Sequence, residues 1–178
     1  MKYRVLLQRG ILLVFLFILC GCGSELQLYD NPEYGFSVLL PGSWQKEEGA
    51  LKSVVMALAP TDNRRTPQPP KPRANVNVFV TEFPEEIKLD TVFELNKDEL
   101  SKFGAAIQDL REGEIYAGLL AGRWLSFEGS MHDSRLKIIS AIWVKGRHAY
   151  TITCSSSSEE FSRYEPIFNK VLRSLRVK

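Results

Sequence analysis

Apolar and polar residues alternate in short stretches along most of this chain, a period of two that predicts strands. Leu26 to Tyr29 and Phe36 to Leu40 read as strands, with Asp30-Asn31-Pro32 as a turn after the first and Pro41-Gly42 closing the second before Trp44, and the apolar run Val54 to Leu58 continues as strand. Asn75-Val76-Asn77-Val78-Phe79-Val80 alternates without a break. The period then changes: Val92, Leu95, Leu100, Phe103, Ala106 and Ile107 recur near 3.6 residues, which predicts one amphipathic helix over 91–107 with Glu94, Lys97, Asp98 and Lys102 on its polar face. Four more strands are predicted near 110–116, 123–128, 136–144 and 148–154, and Gly122, Gly129 to Ser134 and Gly146 supply hairpin turns between them. Consecutive hairpins imply antiparallel pairing. A closing helix carries Phe161, Tyr164, Phe168, Val171, Leu172 and Leu175 on one stripe, with Ser156 or Ser157 placed to cap it three residues before Glu159 or Glu160. Pro166 either sits in the first turn of a helix that starts near Glu165 or kinks a longer one.

The start of the chain breaks this pattern. An uninterrupted apolar run from Ile11 to Leu19 follows Lys2, Arg4 and Arg9. At ~1.5 Å per residue the run is too short to cross a bilayer core of ~30 Å, so it reads as a cleaved export signal and not as an anchor helix. Leu19-Cys20-Gly21-Cys22 resembles the bacterial lipobox, in which an aliphatic residue stands three before the modified cysteine and a small residue directly before it. Cys22 is therefore the expected lipidation site. Cys20 fits less well, since bulky Leu19 would then stand at the cleavage site. The expected organisation is a signal peptide over 1–21, a lipidated tether over 22–25 and one domain over 26–178. The expected location is a bacterial membrane, facing the periplasm or the cell exterior. Gly23 stands after Cys22 where enteric inner-membrane lipoproteins carry Asp, which leaves an outer-membrane destination open.

Processing changes what charge and cysteine content imply. Three of the 23 basic residues lie in the leader, so the processed chain carries 20 against 21 acidic residues, a balance that gives no support to a nucleic-acid partner. Of three cysteines one is removed, one is lipidated and Cys154 alone remains, so no intramolecular disulfide forms and packing must supply stability. Cys154 falls within apolar-polar alternation, the setting of a buried, inert thiol.

Catalytic chemistry is not evident. His132, His148 and Cys154 share no metal-ligand spacing, and no cofactor or metal is expected. His132-Asp133 reads as a solvated hairpin tip. Ser155 to Ser158 contain no nucleophile motif, and the acid pairs Glu47-Glu48, Glu85-Glu86 and Glu159-Glu160 are sequence neighbours that point apart on either regular element. Gly118 and Gly122 are both read as turn glycines, and Trp44, Trp124 and Trp143 as core residues ahead of an aromatic ligand platform.

The stretch from Pro60 to Arg73 is the strongest functional candidate. It holds five prolines, and Arg64, Arg65, Lys71 and Arg73 outweigh Asp62 on a backbone the prolines keep extended. It reads as a loop inserted between neighbouring strands. A solvated connection is the simple interpretation; contact with anionic headgroups or an acidic protein partner is the functional one.

Asn31 to Trp44, with its Tyr34-Gly35-Phe36, Pro41 and Trp44, the Ala121-Gly122-Arg123 phrase, and Phe168 to Leu175 together resemble the PsbP-like family, which also includes the DcrB-type bacterial lipoproteins. The likeness covers nearly all of the processed chain. It implies an α+β fold, an α/β/α sandwich around an antiparallel β-sheet, and a non-enzymatic accessory role in assembling or stabilising larger complexes. Family members in photosynthetic membranes support photosystem II, whereas others occur in bacteria without photosynthesis. The expected function is thus a membrane-anchored binding or assembly module with a protein partner in the envelope. The alternative is a small-molecule or lipid carrier with a pocket between sheet and helix. A third reading, an enzyme built on Cys154 and His148, requires those side chains within hydrogen-bond reach.

Overall fold

A computed structural model describes residues 25–61, 72–102, 107–131 and 134–178. Ten strands and two helices follow in the order β1 (Leu26–Asn31), β2 (Phe36–Pro41), β3 (Gln45–Glu48), β4 (Val55–Leu58), β5 (Asn75–Glu82), α1 (Leu89–Lys102), β6 (Gln108–Ala117), β7 (Leu120–Met131), β8 (Ser134–Lys145), β9 (His148–Ser157), α2 (Phe161–Leu172) and β10 (Arg176–Val177). Seven strands form one sheet in the order β3-β4-β5-β9-β8-β7-β6, and β1-β2-β10 form a second. Every pairing is antiparallel. The molecule is therefore mostly antiparallel sheet with two helices.

The alternation of each central strand divides its side chains between two apolar clusters. Ala141 and Trp143 of β8 with Tyr150, Ile152 and Cys154 of β9 join Phe36, Val38 and Leu40 of β2 and Phe161, Phe168, Val171 and Leu172 of α2. Ile142 of β8, Ala149 of β9, and Leu125 and Phe127 of β7 join Val92 and Phe93 of α1. The small sheet is tied to the segment after α2, where Leu39 N–H donates to Ser174 Oγ at 2.9 Å, and to β9, where Tyr150 Oη donates to the Tyr34 carbonyl at 3.1 Å.

Several sequence expectations change here. The helix expected over 91–107 starts at Leu89, and its buried positions are Val92 and Phe93; Leu95 is 50% exposed. At ~100° per residue Leu95 lies ~200° around from Phe93, so a count of apolar residues misjudged the face. Phe103 and Ala106 lie outside the described residues. Ser156 and Ser157 do not cap α2: both belong to β9, and Glu160 stands at the helix start with no side-chain cap. Pro166 lies inside α2, so the longer helix is the one formed, at the loss of one backbone donor. Gly122 is not a turn residue. It sits within β7 opposite Trp143, and the β6–β7 turn is made by Gly118, whose φ of 64° is left-handed. β3 and β10 were not foreseen, because Gln45-Lys46-Glu47-Glu48 has no apolar alternation and Arg176–Val177 is only two residues long.

The register defines two ends of the large sheet. Gln45, Leu58, Asn75 and Ser155 lie in one cross-strand row, and Glu82, His148 and Lys145 lie at the other end. Glu25 is held at the first end, where its carbonyl accepts from Gly42 N–H at 2.7 Å and the neighbouring Gln27 accepts from Lys46 Nζ at 3.3 Å.

Candidate functional site

Two features near the sheet ends and edge carry unspent polar chemistry. The first is the base of the proline-rich loop. β4 and β5, which the loop connects, are antiparallel neighbours, and Ala59 N–H donates to the Ala74 carbonyl at 2.8 Å just beyond them. Arg73 closes this base: its Nε donates to the Ala59 carbonyl at 2.8 Å, and its Nη2 reaches Gln45 Oε1 at 3.5 Å. Of the four basic residues singled out from sequence, Arg73 is thus committed to the fold, while Arg64, Arg65 and Lys71 lie outside the described residues. Cys22 also lies outside them. The loop base and Glu25 share one end of the sheet, because Gln45 accepts from Arg73 of the loop base while its neighbour Lys46 donates to Gln27, two residues after Glu25.

The second feature is a groove of about 280 Å³ between α2 and the β6–β7–β8 side of the sheet. Its walls mix aromatic and apolar groups with charge: Trp124, Ile139, Phe161 and Leu172 stand beside Arg111, Lys137, Glu165 and Arg173. Lys137 Nζ lies 4.9 Å from the Phe161 ring centre, a cation–π contact. Trp124 leans over Gly113 of the edge strand so closely that a Cβ there would stand 2.9 Å from the indole Nε1. Of the three tryptophans, Trp44 and Trp143 are core residues as expected, whereas Trp124 is half-buried and lines the groove. Sequence reasoning passed over Gly113; a glycine opposite a tryptophan on paired strands was the available signal, and it required the pairing to be known.

The opposite face of the same strands is closed by charge. Arg123 lies over the Phe93 ring at 3.8 Å and reaches Asp90 at 3.1 Å and Glu112 at 3.3 Å, while Lys97 contacts Glu112 at 2.9 Å. The Lys97 hydrogen bond holds the Glu112 carboxyl below the usual carboxylate range, and reciprocally the Glu112 bond raises Lys97 above the usual amine range.

The cysteine and histidine of the third reading do not meet. His148 and Cys154 occupy the same face of one strand six positions apart, or ~20 Å at ~3.3 Å per residue. Burial raises the Cys154 thiol far above its ordinary range, which removes the thiolate needed for nucleophilic attack. Among the described residues no group of three His, Cys, Asp or Glu side chains is placed to hold a metal ion, and no helix is long and apolar enough to cross a membrane.

No protein-family model matches the sequence, and no curated protein does. Solved structures do match. Cyanobacterial PsbP (CyanoP) from Synechocystis sp. PCC 6803 is 15% identical with a TM-score of 0.64, over 89% of this chain and 96% of its own. LpqN, involved in cell envelope biogenesis of Mycobacterium tuberculosis, is 8% identical with a TM-score of 0.63, over 86% and 91%. The Ran-binding protein Mog1p of Saccharomyces cerevisiae is 10% identical with a TM-score of 0.52, over 87% and 96%. Identities this low speak to the fold, and the fold of this chain is that of the PsbP-like family.

Proposed function

We propose that this protein is an extracytoplasmic lipoprotein, anchored through Cys22, that acts as a non-catalytic binding or assembly module for an envelope complex. Its layers are read as an α/β/α sandwich, with α1 and α2 packed against alternate side-chain rows of β8 and β9. The observation that carries the reading is Leu19-Cys20-Gly21-Cys22 standing directly before the folded domain, with Gly23, Ser24 and Glu25 as the only intervening residues. Three residues reach roughly 10 Å, so the sheet end holding Glu25 would lie against the membrane. The basic loop leaves that same end, where each Lys or Arg near an anionic surface contributes about 1 kcal/mol. Arg64, Arg65 and Lys71 are the residues proposed to meet anionic headgroups or an acidic partner, and Arg73 holds the loop base. CyanoP and LpqN, both similar in fold, fit an accessory envelope role.

The test is an affinity pull-down of the lipidated protein from its own membranes, beside a variant with Arg64, Arg65, Lys71 and Arg73 neutralised. A stable protein partner recovered with the wild type and lost with the variant is the expected result. Recovery of no protein with either would overturn the module reading. The groove between α2 and the sheet favours a second reading in that event, a carrier of a small amphipathic molecule, and lipid extraction of the purified protein would look for its cargo.

A further inference from the structure

We infer that the outer edge of β6 is a docking edge for an extended segment of a partner protein, which adds to the large sheet as an eighth strand. The inference rests on the binding-module reading and names where and how the partner is held. β6 is the terminal strand, and no described strand pairs with its outer side. Its pairing with β7 is regular from Arg111 to Ala117 after a bulge at Asp109, so every second residue of this stretch presents an unspent backbone donor and acceptor on the outer side.

The other edge of the sheet is protected differently. β3 has four residues, all polar, and the side chains of Tyr29, Gln27 and Arg73 bond to three of them. β6 is longer and carries apolar groups left to solvent: Leu110 is 48% exposed, Tyr116 55%, and Leu119 in the adjoining turn 104%.

Charge along the edge specifies the occupant. On the groove side Arg111 has no ion pair among the described residues, and Gly113 leaves the edge of the Trp124 indole open to a neighbour across the strand gap. On the other side Glu112 is neutralised by Lys97 and Arg123, whereas Glu114 is bonded only to Tyr116 Oη, at 3.3 Å. A matching antiparallel strand therefore places an acidic residue opposite Arg111, an aromatic one opposite Gly113 and a basic one opposite Glu114.

A second copy of the chain does not meet these conditions. Two-fold self-pairing of β6 runs antiparallel, which sends the two Glu25 ends to opposite ends of the joined sheet. The strands between them span ~30 Å at ~3.3 Å per residue. With the sheet standing on the membrane at its Glu25 end, as proposed above, a tether of roughly 10 Å cannot return both anchors to one bilayer.

The test titrates the protein purified from its membranes with the peptide Thr-Val-Lys-Phe-Thr-Glu-Thr and its charge-swapped counterpart Thr-Val-Glu-Phe-Thr-Lys-Thr, following amide hydrogen exchange and tryptophan emission. The first peptide is expected to protect outward-facing amides within residues 110–116 and to bind about ten-fold more tightly than the second. In the double variant Arg111→Glu, Glu114→Lys the preference reverses, a result that misfolding cannot imitate. Absence of protection at β6, or equal affinity for both peptides in both proteins, would overturn the inference. So would β6 protection that depends on protein concentration without peptide, which would assign the edge to self-association. The membrane pull-down separates the two levels: a partner lost on neutralising the loop but retained by the β6 double variant leaves the module reading standing and removes this one.

Discussion

Gly122 looks like a turn glycine in the sequence and is a packing glycine in the fold. A Cβ at this position would collide with Cδ1 of the Trp143 indole and stand 2.6 Å from the Ile142 carbonyl oxygen, and Trp143 is fully buried. Gly122→Ala is therefore expected to cost about 1–3 kcal/mol, as other overpacked cores do. Gly118→Ala meets open space and pays only for its left-handed φ, about 1 kcal/mol. Urea denaturation of the two variants checks the order; equal losses would show that the contact with Trp143 is not limiting. The two glycines are indistinguishable in sequence because what separates them is the identity of the cross-strand neighbour. The same limit hid Gly113 and Trp124. Cys154, by contrast, was legible: its place in an apolar alternation already implied the buried thiol found in β9.

Elements were legible where the hydrophobic period was strong and long. The strands that became β5, β8 and β9 show this, as does the apolar stripe of α2, each close to its expected place. Strand order was not legible, since β9 pairs with β5 across an intervening helix and three strands, and no local signal encodes that partner. The helix α1 shows the intermediate case, with existence expected and face misjudged. It is attached to β6 and β7 by Phe93 and by the charges around Arg123, and that attachment predicts a pH response. Glu112 titrates below its ordinary range, so its contribution is complete above the unfolded value and is lost as pH falls through the lower, folded one. Lys97 titrates above its range, so its share persists until alkaline pH passes the raised folded value. Hydrogen exchange of α1 is expected to quicken as pH is lowered through the acidic side, after correction for intrinsic rates, and Glu112→Gln should flatten that dependence. An unchanged pH response in the variant would assign the effect to another group.

For the whole molecule, the arrangement sorts surfaces by distance from Glu25. The loop base lies at the same end as Glu25, the Gly118–Leu119 turn lies at the far end, and the β6 edge runs between them. Under the anchored reading this gives a membrane-facing end, a lateral docking edge and a distal tip. The family likeness read from Tyr34-Gly35-Phe36, Trp44 and the closing helix led to the right fold because those residues are core contacts: Phe36, Trp44 and Phe168 all join one apolar cluster. The candidate site was less legible, since a groove and a free edge are products of strand order. The functional proposal depends on the domain being held outside the cytoplasm through Cys22. The direct measurement is mass spectrometry of the N-terminal peptide of the membrane-extracted protein, with Cys22→Ala as the control. A chain that begins at Cys22 and carries fatty acyl groups is expected, with a variant that is neither processed nor acylated. A membrane-extracted chain that retains residues 1–21, or that begins after Cys22 without lipid, would contradict the proposal.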